Sequence, residues 1–238
     1  MSASMQQVPP YLVNEHFGDR YFDIVDAMEE ANHVFFRGTD LMEILSSEKA
    51  LGKELRIGET GFGAGRLLIA LMDMLERSGM RNLAIAYHSV ELHPIAACRM
   101  ASILGGFRDR AGDLIDLLVD AYGTLDLTEQ GWKRLRFNRV FGVFSLNLWI
   151  GEALEMVRAL REPCDLWFLD GHGPKTNPSI WREELLLEIG RKTVPGGTCA
   201  TFTVAVAVRK GLADAGFAVE QRPGFGIKKS VLKGVKPR

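Results

Sequence analysis

The chain has 238 residues, 47% hydrophobic and 25% charged, with a net charge of −1. That length supports one large buried core, and that balance is ordinary for a globular protein. No apolar run approaches the roughly 20 residues of a membrane span. Cys98, Cys164 and Cys199 lie far apart and suit neither a disulfide framework nor a metal cluster, so each reads as a small core residue. With no signal-peptide pattern at the start, a reducing, cytoplasmic location is expected.

In chain order, residues 1–16 read as a disordered N-terminus and residues 17–238 as a single domain. Within it, residues 17–50 mix aromatics with acids, as a capping extension would. Leu55 to Glu59 is an apolar strand, and Leu67 to Arg77 its helix. Leu83 to Val90 is a second strand. The second helix runs from Pro94 to Gly105, with the proline in the first turn where a missing N–H costs little. Asp113 to Leu125 is a further helix. Arg139 to Trp149 is β-rich, with Gly142 at a turn between two strands. Then come a strand at Asp165 to Leu169, a helix at Ile180 to Arg191 and a strand at Thr198 to Val206. A helix at Ala207 to Ala215 closes at Gly216, and strands at Ala218 to Arg222 and Ser230 to Val235 end the chain. Alternating strands and helices imply crossover units, hence an α/β, doubly wound, mostly parallel sheet.

Between the first strand and its helix stands Gly58-Glu59-Thr60-Gly61-Phe62-Gly63-Ala64-Gly65. A strand, a glycine-rich turn and a helix start bring free N–H groups close to a nucleotide. A dinucleotide turn needs a small residue where Arg66 stands. The P-loop pattern is absent. What remains, acid-x-G-x-G-x-G, is the pattern of S-adenosylmethionine-dependent methyltransferases. The plainer alternative is a turn without a ligand, although three alternating glycines carry an entropic cost.

In such sheets ligands bind beyond the carboxyl ends of the strands. Glu91 ends the second strand, where a carboxylate accepts ribose hydroxyls. Gly151-Glu152 follows Leu148-Trp149-Ile150, and an acid there meets an adenine amino group. Asp170 ends the apolar Leu166-Trp167-Phe168-Leu169 and opens a Gly/Pro loop at the catalytic edge. His172 is either a general base or a loop histidine packed on a tryptophan, and no paired acid is visible to favour the base. His33, His88 and His93 lack zinc spacing, so no metal site is expected. Trp149 and Trp167 read as core, and Trp181 as core or stacking platform. From Arg209 onward, eight cations stand against two carboxylates, a surplus of +6 beside −7 for the rest. Charge alone leaves a polyanion-binding end and a solvated tail even.

Longer motifs narrow the family. They are Gly58-Glu59-Thr60-Gly61-Phe62-Gly63-x-Gly65, and Asp165-x-Trp167-Phe168-Leu169-Asp170-Gly171-x-x-Pro174-Lys175-x-Asn177-Pro178-x-x-Trp181. Pro195-Gly196-Gly197-Thr198-x-Ala200-Thr201-Phe202-Thr203, Val208-Arg209-x-Gly211-Leu212-x-Asp214-Ala215-Gly216-Phe217 and Gly224-Phe225-Gly226-x-Lys228-Lys229 follow. With Tyr21-Phe22, Glu29-Glu30 and Val34-Phe35, the chain resembles the methyltransferase domain of the MnmC-type enzymes over nearly its whole length. Those enzymes finish 5-methylaminomethyl-2-thiouridine at the tRNA wobble position. The resemblance implies a class I S-adenosylmethionine-dependent methyltransferase with an antiparallel edge strand. It implies transfer of a methyl group to the exocyclic amine of 5-aminomethyl-2-thiouridine, in the cytoplasm, with tRNA as partner and no membrane. S-adenosyl-L-methionine would lie on Glu59, Gly61, Phe62, Gly63, Gly65, Glu91, Gly151, Glu152 and Asp170. Asp170 would be catalytic. His172, Pro174, Lys175, Asn177, Arg209, Lys228 and Lys229 would meet the substrate, the last three and Lys210 through phosphates. The family's bifunctional enzymes add a FAD-dependent domain. The chain ends at Arg238, which implies a stand-alone form served by a separate FAD-dependent enzyme. His172-Gly173, Glu152 and Val204 depart from the family's usual residues, and the His172-Gly173 pair sits in the substrate pocket that the resemblance implies. A methyltransferase for a small molecule or protein, and a non-catalytic S-adenosylmethionine-binding protein, are the alternative readings.

Overall fold

The computed structural model describes residues 13–14, 19–20, 27–47, 52–226 and 229–238. The expected disordered start and Tyr21-Phe22 lie largely outside these residues, as does Lys228. A short ladder pairs β1 (Val13–Asn14) with β2 (Asp19–Arg20). Next, α1 (Ala27–Ala31) runs into a π-helical turn, Asn32–Phe36, that buries Val34, Phe35 and Phe36, and α2 (Leu41–Ser46) follows.

The core alternation begins at β3 (Glu54–Glu59), followed by α3 (Arg66–Ser78) and β4 (Leu83–Glu91). Then come α4 (Ala97–Leu104), α5 (Arg108–Tyr122), β5 (Gly131–Arg139), β6 (Gly142–Ile150) and α6 (Ala153–Ala159). The rest is β7 (Cys164–Phe168), α7 (Glu183–Arg191), β8 (Thr193–Thr201), α8 (Val206–Asp214), β9 (Ala218–Pro223) and β10 (Ser230–Val235).

Eight strands form one sheet in the order β5-β6-β4-β3-β7-β8-β10-β9. The pairs β3–β4, β3–β7, β4–β6 and β7–β8 are parallel. Within this sheet β10 and β5 run against the other strands, so the antiparallel edge expected of the last strands is present and a second one stands at β5. β10 lies one place inside its edge, between β8 and β9, while β5 forms the opposite edge against β6. From β3 the chain winds outward through β4 to β6, then returns across β3 to β7 and β8. The reversal opens a crevice between the carboxyl ends of β3 and β7.

Each face of the sheet has its own core. Rings of Phe35, Phe36, Tyr87, Phe144 and Phe168 pack together beneath α3 and α5. The other face carries Trp167, Trp181, Cys164 and Cys199 beneath α6, α7 and α8. α3 is buried over most of its length, as an apolar helix with the capping segment laid against it should be. Burial raises the Cys164 and Cys199 thiols, which keeps them protonated core groups. Cys98 departs from the core reading and is exposed on α4.

Several bounds moved for local reasons. Pro94 precedes the second helix, which starts at Ala97. The stretch read as a helix from Ile180 opens with a 3₁₀ turn, Pro178–Trp181, before α7. β8 ends at Thr201 rather than Val206.

Candidate active site

The crevice is a cleft of about 370 Å³, within the usual range for a ligand site. Its floor is the turn after β3. Thr60 donates its backbone N–H to the Phe168 carbonyl (3.2 Å) and its hydroxyl to the Asp170 carbonyl (2.7 Å). The two strand ends are thereby tied together. A Cβ on Gly61 would stand 3.2 Å from the Asp170 carbonyl oxygen and the Gly171 Cα, so a larger residue would push these backbones slightly apart. The Phe62 N–H reaches the Val90 carbonyl at 2.8 Å, and the Phe62 ring stacks on Tyr122. Gly63, at φ 55°, turns its N–H onto Glu91 Oε2 at 2.8 Å. His93 donates its backbone N–H to Glu91 Oε1 at 2.9 Å. Gly65 lies behind the turn, where a Cβ would meet Leu118 and Phe62.

Burial dominates the acids of the floor. Glu59 is 1% exposed and accepts the Ser89 hydroxyl at 2.5 Å. Desolvation raises its pKa to about 8, against the Ser89 hydrogen bond. Desolvation likewise raises Glu91 to about 7, against the backbone N–H groups of His93 and Gly63. The folded protein holds these two protons above the ordinary carboxylate value of 4.5, where the unfolded chain has lost them. Stability in the absence of ligand should therefore fall as pH rises from 4.5 through about 7 to about 8. Urea midpoints along that range check the slope, and Glu59→Gln should flatten it.

Asp170 stands at the end of β7 beside the floor. Its Oδ2 accepts from Arg66 Nη2 at 3.2 Å, while Arg66 Nη1 donates to the Ala27 carbonyl at 2.9 Å. Arg66 is 8% exposed, so the guanidinium is a buried strut between the capping segment and the carboxylate. The sequence reading missed it, treating Arg66 only as the residue that spoils a dinucleotide turn. The available signal was its position, the first residue of the helix after the glycines.

Gly151 and Glu152 close one end of the cleft. The Gly151 N–H donates to the Glu91 carbonyl at 3.1 Å, and Glu152 lies 3.5 Å from Arg182. Opposite them, the loop after Asp170 brings His172, Gly173 and Asn177 to the wall. Trp181 Nε1 donates to the His172 carbonyl at 2.8 Å, which fastens that loop to the 3₁₀ turn. Val34, Phe35 and Phe202 supply apolar wall.

Ten of the expected residues thus line one cleft: Glu59, Gly61, Phe62, Gly63, Glu91, Gly151, Glu152, Asp170, His172 and Asn177. Pro174 and the exposed Lys175 stand outside it, further along the loop. Arg209 and Lys229 are exposed, on α8 and just before β10. The basic surplus of the C-terminal segment is partly spent inside the fold. Lys233, 3% exposed, is paired with Asp40. Arg222 pairs with Glu220, and Lys210 with Asp214, both at 2.5 Å. Lys236 Nζ donates to the carbonyls of Gly190 and Thr193. Among the described residues no group of three metal-ligating side chains gathers, and no helix is long and apolar enough to cross a membrane.

A sequence profile described as "S-adenosyl-L-methionine-dependent methyltransferase" matches residues 118–237. The chain belongs to that family. This methyltransferase is 35% identical over 93% of its length to a Caulobacter vibrioides protein named tRNA 5-methylaminomethyl-2-thiouridine biosynthesis bifunctional protein MnmC. It is 36% identical, again over 93% of its length, to the protein of that name in Stutzerimonas stutzeri. It spans about a third of these relatives, 36% and 32% of their lengths. A crystal structure of MnmC2 from Aquifex aeolicus superposes with a TM-score of 0.68 at 20% identity, covering 95% of this chain and 68% of that one. At that identity the likeness concerns the fold. The cleft suits S-adenosylmethionine on its own terms. The Gly61 backbone admits close approach, the Glu91 carboxyl stands ready to accept hydroxyl protons, and the volume is adequate.

Proposed function

We propose that this methyltransferase places a methyl group on the exocyclic amine of 5-aminomethyl-2-thiouridine at the wobble position of tRNA. The observation that carries the reading is the Asp170 carboxylate, fixed by Arg66 at the rim of the cleft where the glycine turn and the loop of His172 meet. The names of the 35–36% identical relatives supply the substrate class.

S-adenosylmethionine, when bound, supplies an electrophilic methyl group on a sulfonium. Everything else falls to the chain. Glu91 accepts the ribose hydroxyls, and Gly61 and Gly63 let the backbone lie along the ligand. Asp170 accepts a hydrogen bond from the substrate amine, orients its lone pair and takes or stabilises the proton that leaves it, a general-base role. The apolar walls from Val34, Phe35 and Phe202 exclude water around the nitrogen. Alignment supplies much of the acceleration. No covalent intermediate on the protein is needed, in keeping with two buried, protonated thiols. The aminomethyl group must be exposed beforehand, a step of the class that a FAD-dependent activity on tRNA would perform.

Arg66 acts through Asp170 and is a positioning residue. Arg66→Gln should lower kcat about 10²-fold, with little change in KM for S-adenosylmethionine, because the carboxylate loses its fixed direction. Arg66→Lys should recover part of the loss. Equal kcat in wild type and Arg66→Gln would remove Arg66 from the mechanism.

The proposal is tested by mass spectrometry of tRNA nucleosides from a strain lacking the gene. Accumulation of 5-aminomethyl-2-thiouridine with loss of the methylated nucleoside supports it. An unchanged nucleoside profile turns attention to a small-molecule or protein substrate.

A further inference from the structure

β5 is an unusual edge strand. Gly131–Arg139 reads Gly-Trp-Lys-Arg-Leu-Arg-Phe-Asn-Arg, with four cations and no acid. Its Leu135 and Phe137 turn toward the core beneath α3 and α5. Period two then puts Trp132, Arg134 and Arg136 on the opposite face. Arg139 is bound to Glu76 at 2.6 Å and does not contribute there.

Register fixes what surrounds the two arginines. Arg134 lies opposite Asn147 and Arg136 opposite Ser145 on β6. The next strand places His88 beside Asn147 and Ala86 beside Ser145. Beyond it, Arg56 on β3 lies beside Ala86. Small or neutral side chains thus separate Arg136 and Arg134 on one side from Arg56 on the other. At about 4.8 Å per strand, Arg136 and Arg56 stand roughly 14 Å apart. Arg134 and Arg136 are exposed, and both cross-strand partners are uncharged. Two acids stand on the Arg56 side. Glu54 is 4.0 Å from Arg56, and Asp165 accepts the Arg56 backbone N–H. His88, between the arginines, is held down to about 4 by burial and by the positive charges of Arg56 and Arg134.

The face also leads to the cleft. Trp132 pairs with Trp149 edge-to-face, and Trp149 is followed by Ile150 and then Gly151 and Glu152 at the cleft wall. Moving from that pair to Arg134 and then Arg136 covers about 6.8 Å per step along the strand.

We propose that this β5–β6 face, through Arg134 and Arg136, is a docking surface for the tRNA phosphate backbone. The inference rests on the tRNA reading above. Charge selects the occupant. A second copy pairing along β5 would set like charges opposite one another, whereas a polyanion neutralises cations that have no acid across the strand. The alternative role for such cations is to keep an edge strand from pairing with other chains.

The experiment compares wild type with the double variant Arg134→Gln, Arg136→Gln. Affinity for a fluorescein-labelled tRNA transcript is read across a salt series, with S-adenosylmethionine affinity and circular dichroism as controls for folding. The double variant should bind tRNA more weakly, and the slope of log K against log salt should flatten by roughly 0.7–0.9 for each lost contact. Cofactor affinity and methyl transfer to the free 5-aminomethyl-2-thiouridine nucleoside should stay at wild-type levels. Lys133→Gln, on the opposite side of the strand, should change nothing. Equal affinity and slope in the double variant would overturn the docking surface while leaving the substrate class intact. The same result with new self-association would assign the arginines to edge protection. Failure of the wild type to bind tRNA at any salt concentration would instead strike the substrate reading itself.

Discussion

Asp170→Asn should bind S-adenosylmethionine nearly as well as wild type and transfer methyl about 10²–10⁴-fold more slowly. Asparagine keeps an oxygen for Arg66 Nη2, now 3.2 Å from Oδ2, and the Thr60 bond to the residue 170 carbonyl does not involve the side chain. The fold is therefore preserved while the negative charge facing the amine is lost. Alanine is the harsher probe. It strands a guanidinium that is 8% exposed, and removing one partner of a buried pair typically costs about 3–5 kcal/mol. The asparagine variant separates chemistry from stability. A loss made mainly in the transition state lowers kcat while leaving KM close to its wild-type value. Single-turnover rates near wild type in Asp170→Asn would reduce Asp170 to a structural role and make His172 the next group to test.

Gly63→Val should lose at least about 10²-fold in cofactor affinity, close to 2.7 kcal/mol. Gly63 sits at φ 55°, in the left-handed region that a β-branched residue enters only with strain. Relief of that strain moves the N–H that Glu91 accepts at 2.8 Å, and so disturbs the acid and the turn together. Isothermal titration with S-adenosylmethionine reads the loss, with thermal unfolding as a check that the sheet persists. An unchanged dissociation constant in a folded variant would remove the glycine turn from the cofactor site.

The cleft was legible where chemistry follows from position on a strand. Glu91 and Asp170 each close an apolar run, and a parallel sheet gathers such ends at one edge, so two residues far apart in sequence could be assigned to one site. Arg66 was not legible, because its meaning depends on Asp170, 104 positions away, and on a carbonyl of the capping segment. Counting charge after Arg209 identified a basic segment but could not show which cations remain available. Lys233 is consumed by Asp40 across 193 positions, and Lys236 by carbonyls near the end of α7. β5 was read only from its last residue. Its alternation of cations with Leu135 and Phe137 is a half-buried strand pattern, but the many charges hid it beside the strongly apolar β6. α6, only seven residues long, offers too few turns for a helical period to emerge. The order of the strands, and with it the place of β10 inside the edge, depends on pairing that no local pattern encodes.

The most direct measurement incubates the purified protein with S-adenosylmethionine labelled in its methyl group and tRNA bearing 5-aminomethyl-2-thiouridine, then digests the RNA to nucleosides for mass spectrometry. Label should appear in one nucleoside, 5-methylaminomethyl-2-thiouridine, and at least about 10²-fold more slowly when Asp170→Asn replaces the wild type. Label at another nucleoside, or none with a protein that binds the cofactor, would contradict this reading.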